Sequence, residues 1–130
     1  MTIKEETIMT ESRELALKAA RILDEKGANH IVVLDVGHLT SITDYFVIAN
    51  GRNVQSVHTL AEDLEEKLAE LGEEPRRKEG YREAKWIVLD YAHVIVHIFH
   101  PDEREFYNIE RLWQDGTNQV EFIPLDERSK

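Results

Sequence analysis

Apolar residues recur along this chain with two periods, one helical and one extended. Leu15, Ala19, Ile22 and Leu23 fall on one helical face, which predicts a helix from about Thr10 to Lys26 stopped by Gly27. Ile31 to Val36 (IVVLDV) reads as a buried strand, GHLTSIT as a loop, and Asp44 to Gly51 (DYFVIANG) as a second strand. Asn53 is placed to cap a second helix, in which Val54, Val57, Leu60, Ala61, Leu64, Leu68 and Leu71 keep helical spacing up to Gly72. The polar stretch 73–84 reads as a loop with at most a short edge strand. KWIVLDY and HVIVHIF follow as two strands around a tight turn, and Asp102 is placed to cap a last helix carrying Phe106, Ile109 and Trp113. The chain then ends in a tail with one short apolar patch. Strands in adjacent pairs between helices predict an α/β (α+β) fold, with a mixed sheet of about five strands and flanking helices.

The strand pair around Tyr91-Ala92 carries the most informative pattern. With those two residues at the centre of the turn, Asp90 faces His93, Val88 faces Ile95 and Trp86 faces His97, all on one side of the sheet. Leu89 with Val94 and Ile87 with Val96 make a purely aliphatic opposite side, which must be core. A side holding a Trp, an Asp, two His and two aliphatics is unusual for an interior, since each buried polar group needs a partner. Two readings stand: a half-solvated sheet face, or a docking surface in which an aromatic anchor is ringed by polar groups. Tyr91-Ala92 is poor chemistry for a tight hairpin turn, which favours residues tolerant of positive φ, so the register is open to a shift.

The three histidines of DYAHVIVHIFH raise the question of a metal. His93 and His97 share a strand face, but four residues of strand separate them by ~13 Å, far beyond what one ion with ~2 Å Zn–N bonds spans. His100 points to the other face, and the chain has no cysteine. The pattern therefore argues against a metal site. Catalytic and cofactor signatures are missing too: there is no GxSxG, P-loop or GxGxxG. Thr40, Ser41 and Thr43 beside Asp44 read as loop and cap residues. The mixed arrangement is similar to the nucleotidyltransferase fold, but Asp35 and Asp90 each lack a carboxylate two residues away, and no Gly-Ser dipeptide occurs.

Composition narrows the class. The 130 residues, 42% hydrophobic and 32% charged, suit one globular domain. No apolar run approaches the roughly 20 residues of a membrane helix, and the acidic N-terminus lacks the features of a secretory or transit peptide, which makes the cytoplasm the expected location. The formal net charge of −10 argues against a broad nucleic-acid surface and suits a basic protein partner. The one basic cluster, Arg76, Arg77 and Lys78, reads as a solvated loop.

Taken together, SITDYFVIANG, WIVLDY followed by HVIVHIF, and REFYNIERLW resemble the ribosomal silencing factor S family, also called Iojap-like proteins, from about Ser12 to Asp115. The resemblance implies a domain over residues 10–115, between an N-terminal tail (1–9) and a C-terminal extension (116–130). It implies a cytoplasmic factor, not an enzyme and without cofactor. Such a factor binds the large ribosomal subunit through large-subunit protein fourteen, sterically blocks joining of the small subunit and represses translation in nutrient shortage. It further implies a homodimer and a nucleotidyltransferase-like fold without activity. By motif, Trp86, Val88 and Asp90 match the W-I-V-x-D segment of the family's docking surface, which Tyr91 follows. His97 matches the His of V-V-H, and Arg104, Tyr107 and Trp113 match R-x-x-Y and the closing L-W. His93 is placed at the turn end of the same face, where Ala92-His93 departs from the Gly-Asp of the pattern. On this reading His93 and His97, with imidazoles near pKa 6.5, give docking a pH dependence. The competing functions are a degenerate nucleotidyltransferase-like nucleotide-binding protein and a dimeric scaffold with a non-ribosomal partner.

Overall fold

The computed structural model describes residues 3–125, with the backbone alone over residues 4–10. Residues 1–2 and 126–130, the outer ends of the expected tail and extension, lie outside the described residues. In chain order the elements are α1 (Ile3–Glu25), β1 (Asn29–Asp35), β2 (Tyr45–Asn50), α2 (Val54–Glu70), β3 (Arg77–Glu79), β4 (Trp86–Asp90), β5 (Val94–Phe99), α3 (Pro101–Tyr107), α4 (Ile109–Trp113) and β6 (Gln119–Val120).

The six strands form one mixed sheet in the order β3-β4-β5-β2-β1-β6. Only β2 and β5 run parallel; the other neighbours are antiparallel. Side chains alternate across it, so its inner strands serve two cores. Val33, Val47, Ala49, Ile87, Leu89, Val96 and Ile98 face α1 and α2 and are buried with Ala16, Ala19, Leu23, Leu60, Leu64 and Leu68. The aliphatic side expected of the hairpin is therefore core. The opposite side carries Leu34, Phe46, Ile48, Ile95 and Phe99, joined by Ile109 and partly covered by Trp113. No helix among the described residues is long and apolar enough to cross a membrane.

The caps on α2 are as the sequence predicts. The Asn53 side chain accepts from Ser56 N while the Ser56 hydroxyl accepts from Asn53 N, a reciprocal capping box. Gly27 and Gly72 follow α1 and α2 with φ +90° and +85°, which a glycine adopts without steric cost.

Five expectations need correction. First, α1 begins at Ile3, not Thr10, so residues 3–9 continue the helix. Second, the hairpin pairs Asp90 with Ile95, Val88 with His97 and Trp86 with Phe99, two residues out from the expected register. Ala92 and His93 are the central turn residues: Tyr91 N–H donates to Val94 O, and Ala92 takes φ +74° while its N–H donates to Asp90 Oδ1 at 2.8 Å. A shift of two keeps every side chain on its side, so only the pairing changes. Third, His100 rather than Asp102 caps α3: its Nδ1 accepts from Asp102 N, with Pro101 at the first helical position. Fourth, the last helix is two helices, divided at Asn108 in the left-handed region (φ 42°, ψ 54°). Fifth, residues 119–120, expected within a tail, form β6 against β1 and make six strands rather than five.

Candidate functional site

The side of the sheet away from α1 and α2 is only partly covered by α3 and α4, and it holds most of the predicted site residues. Trp86, Val88 and Asp90 on β4 stand beside Ile95, His97 and Phe99 on β5 and Phe46 on β2. Trp86 and Val88 are half-buried, and Tyr107 from α3 is 48% exposed.

Aromatic rings run across this side in one continuous series. Phe106 meets Tyr107 at 5.0 Å between centroids, Tyr107 meets Trp86 at 5.0 Å, and Trp86 meets Phe99 at 4.8 Å and His97 at 5.9 Å. His97 meets Phe46 edge-on at 4.9 Å, and Phe46 meets Trp113 at 5.2 Å. Such offset and edge-on pairs add about 0.5–1.5 kcal/mol each beyond burial. The Trp86 indole N–H donates to His97 Nδ1 at 3.1 Å, which leaves the proton of the neutral imidazole on Nε2. Burial removes the ring from water and lowers its pKa to about 4. His97 is thus an uncharged support for Trp86, not a group titrating near pH 6.5. Gly80 lies close against the Trp86 backbone: it has φ +89°, and a Cβ there would stand 2.0 Å from the Trp86 carbonyl oxygen.

Asp90 and Arg104 are structural hubs of the same face. Asp90 accepts from Ala92 N and from Arg76 Nε at 3.2 Å, tying the turn to the residue that precedes β3. The basic cluster read as a loop therefore divides: Arg76 pairs with Asp90, and Lys78 pairs with Glu65 of α2 at 3.2 Å. Arg104 is buried. Its Nε donates to Glu110 at 2.7 Å, and its Nη1 donates to His30 O at 2.6 Å and Asn50 Oδ1 at 2.9 Å. One guanidinium thereby clamps α3 and α4 to the ends of β1 and β2.

Two predicted residues stand apart. Tyr91 is buried with the aliphatic core on the α1–α2 side, where burial pushes its hydroxyl pKa up. His93 sits exposed in the turn, its Nδ1 2.9 Å from Asp44 Oδ2, which also accepts from Ser12 Oγ at 3.2 Å. A cavity of about 310 Å³ opens beside the face, lined by Val88, Ile95 and His97 together with Ile42, Phe46, Arg76 and Arg77. Sequence reasoning did not place Phe99 and Phe46 on this side. Alternation along β5 puts Phe99 on the side of Ile95 and His97, and the corrected register makes it the partner of Trp86; Phe46 enters through the parallel pairing of β2 with β5, which no local pattern specifies. Among the described residues, no three His, Asp or Glu side chains gather as a metal-holding group.

Comparison with known proteins places this geometry among relatives. The family described as ribosomal silencing factor during starvation matches residues 9–130, which takes in the extension that the motifs had left out. The chain is 38% identical to the ribosomal silencing factor RsfS of Halalkalibacterium halodurans over 81% of this chain and 90% of that one. A crystal structure from Bacillus halodurans superposes with a TM-score of 0.71 at 36% identity, covering 87% of this chain and 99% of the other. A mouse protein named for mitochondrial assembly of the ribosomal large subunit is 30% identical over 71% of this chain and 42% of its own length.

Proposed function

Because the chain belongs to the ribosomal silencing factor family, we propose that it acts on the ribosome in the cytoplasm as a steric regulator of translation, without catalysis or cofactor. It docks on the large subunit through large-subunit protein fourteen and occupies the space the small subunit needs, so that translation falls in nutrient shortage. Homodimerisation belongs to the same proposal, with no membrane partner and no sequence-specific nucleic-acid contact.

The observation that carries the reading is the asymmetry of the sheet. One side is sealed by α1 and α2; the other leaves Trp86, Val88 and Tyr107 accessible on a rigid floor of His97 and Phe99. Half-exposed aromatics on a pre-ordered floor are the composition of a protein-binding hot spot, because little side-chain entropy is lost on docking. Trp86, Val88, Tyr107 and the turn residue His93 form the contact surface. Asp90, Tyr91, His97 and Arg104 are buried within the chain and act by holding that surface in place. The net charge of −10 favours approach to a basic ribosomal protein and opposes contact with rRNA phosphates.

Trp86→Ala tests the assignment by sedimentation with purified large ribosomal subunits. The indole is half-buried, and among the described residues its N–H donates to His97, so the variant is expected to fold. A loss of ten-fold or more in affinity is expected, since an anchor of this type contributes about 2 kcal/mol or more. Wild-type affinity in the folded variant contradicts the docking face.

A further inference from the structure

Phe106 is 80% exposed, and no local rule asks for a large aromatic there. A continuous helix from Pro101 to Trp113 puts Phe106 on the same stripe as Ile109 and Trp113, three and seven residues on, facing the sheet. Asn108 in the left-handed conformation ends α3 and starts α4 afresh. Ile109 and Trp113 stay packed against the sheet, while Phe106 is turned to solvent. Its ring is held by edge-on contact with Tyr107, which in turn contacts Trp86, so the exposed ring continues the aromatic series of the face.

The charges around it are one-sided. Asp102, Glu103 and Glu105 are the acidic side chains of α3, and its only base, Arg104, is turned inward onto Glu110, His30 O and Asn50. Acids in the first turn suit the helix N-terminus, but Glu105, beside Phe106 and near the C-terminal end, gains nothing from helix electrostatics. A second copy of a chain with net charge −10 brings a second acidic rim against this one, and RNA brings phosphates.

We propose that Phe106 is an outer anchor of the docking surface, inserting into an apolar pocket rimmed by Lys or Arg on the basic protein partner. The inference rests on the docking reading above and names a contact at an unspecified position of the R-x-x-Y motif, beyond the residues matched to that face. It requires Phe106 to matter for binding and not for folding, and Glu105 to add a salt-sensitive attraction.

The test compares the full chain with Phe106→Ala, Glu105→Lys and Trp86→Ala for affinity to purified large ribosomal subunits at low and high salt. The urea midpoint and self-association of each are measured alongside. The expected result is a Phe106→Ala chain with a wild-type urea midpoint and at least ten-fold weaker binding, and a Glu105→Lys chain weakened several-fold at low salt and less at high salt. Phe106→Ala within two-fold of wild type while Trp86→Ala is impaired overturns the anchor and leaves the docking face standing. Loss of self-association in Phe106→Ala with unchanged subunit binding also overturns it, assigning the ring to a contact between copies. Absence of subunit binding by the wild-type chain, or wild-type binding by both Ala variants, removes the docking reading and the inference together.

Discussion

His97 shows how far a single residue departs from its sequence reading. The pattern put it beside Trp86, and the structure joins the two rings by the indole hydrogen bond. The sequence carried no sign that strand pairing brings Phe46 against the ring to close it in beside Phe99 of its own strand, and that burial lowers the imidazole pKa to about 4. A histidine whose folded pKa lies below its unfolded value of about 6.5 favours the native state fully above pH 6.5. That contribution falls as pH drops through the interval down to 4, because the unfolded chain takes up the proton first; over the whole interval the loss is about 3 kcal/mol. Urea unfolding of the wild-type chain is therefore expected to weaken between pH 6.5 and 4.5 more steeply than that of His97→Gln. Equal slopes remove the buried neutral histidine from the account. Arg104 follows the same lesson. Its motif was visible in the sequence, but its role as a clamp between α3, α4 and the β1 and β2 ends depends on residues 54 and 74 positions away.

At the scale of elements, hydrophobic period was enough to find α1, α2, β1, β2, β4 and β5, since each has a long apolar stripe or run. Elements fixed by single polar residues were not legible. Asn108 divides the last helix through its backbone conformation alone, which a stripe of Phe106, Ile109 and Trp113 conceals. Asn118 brings the chain back to form β6: it is buried, its Nδ2 donates to Asp35 O at 2.9 Å and Trp113 O at 2.7 Å, and its Oδ1 accepts from Asp115 N. The Asp115 carboxylate closes the same turn through Thr117 and His38, and the His38 hydrogen bond is the main cause holding its pKa near 2. Asn118→Ala strands these groups. It is expected to lower unfolding stability by about 2 kcal/mol, the scale of a lost buried hydrogen-bond set partly re-solvated. An unchanged urea midpoint contradicts the role of Asn118 as the clasp of β6.

For the whole molecule, the sequence supplied the fold class and the order of the elements, whereas the contrast between a sealed and an open sheet side emerged from tertiary pairing. Parallel pairing of β2 with β5 sets Phe46 beside His97 and completes the aromatic floor. The uncovered rim then presents Trp86, Tyr107 and Phe106 on an acidic chain, a shape and charge suited to a basic protein surface. Steric interference asks for no chemistry from this surface, only that it be occupied when the small subunit arrives. The decisive measurement mixes purified large and small ribosomal subunits with increasing amounts of the protein and resolves them on a sucrose gradient. The account predicts that the protein migrates with the large subunit and that associated ribosomes decline with dose, an effect that Trp86→Ala largely abolishes. Undiminished subunit association at saturating protein contradicts it.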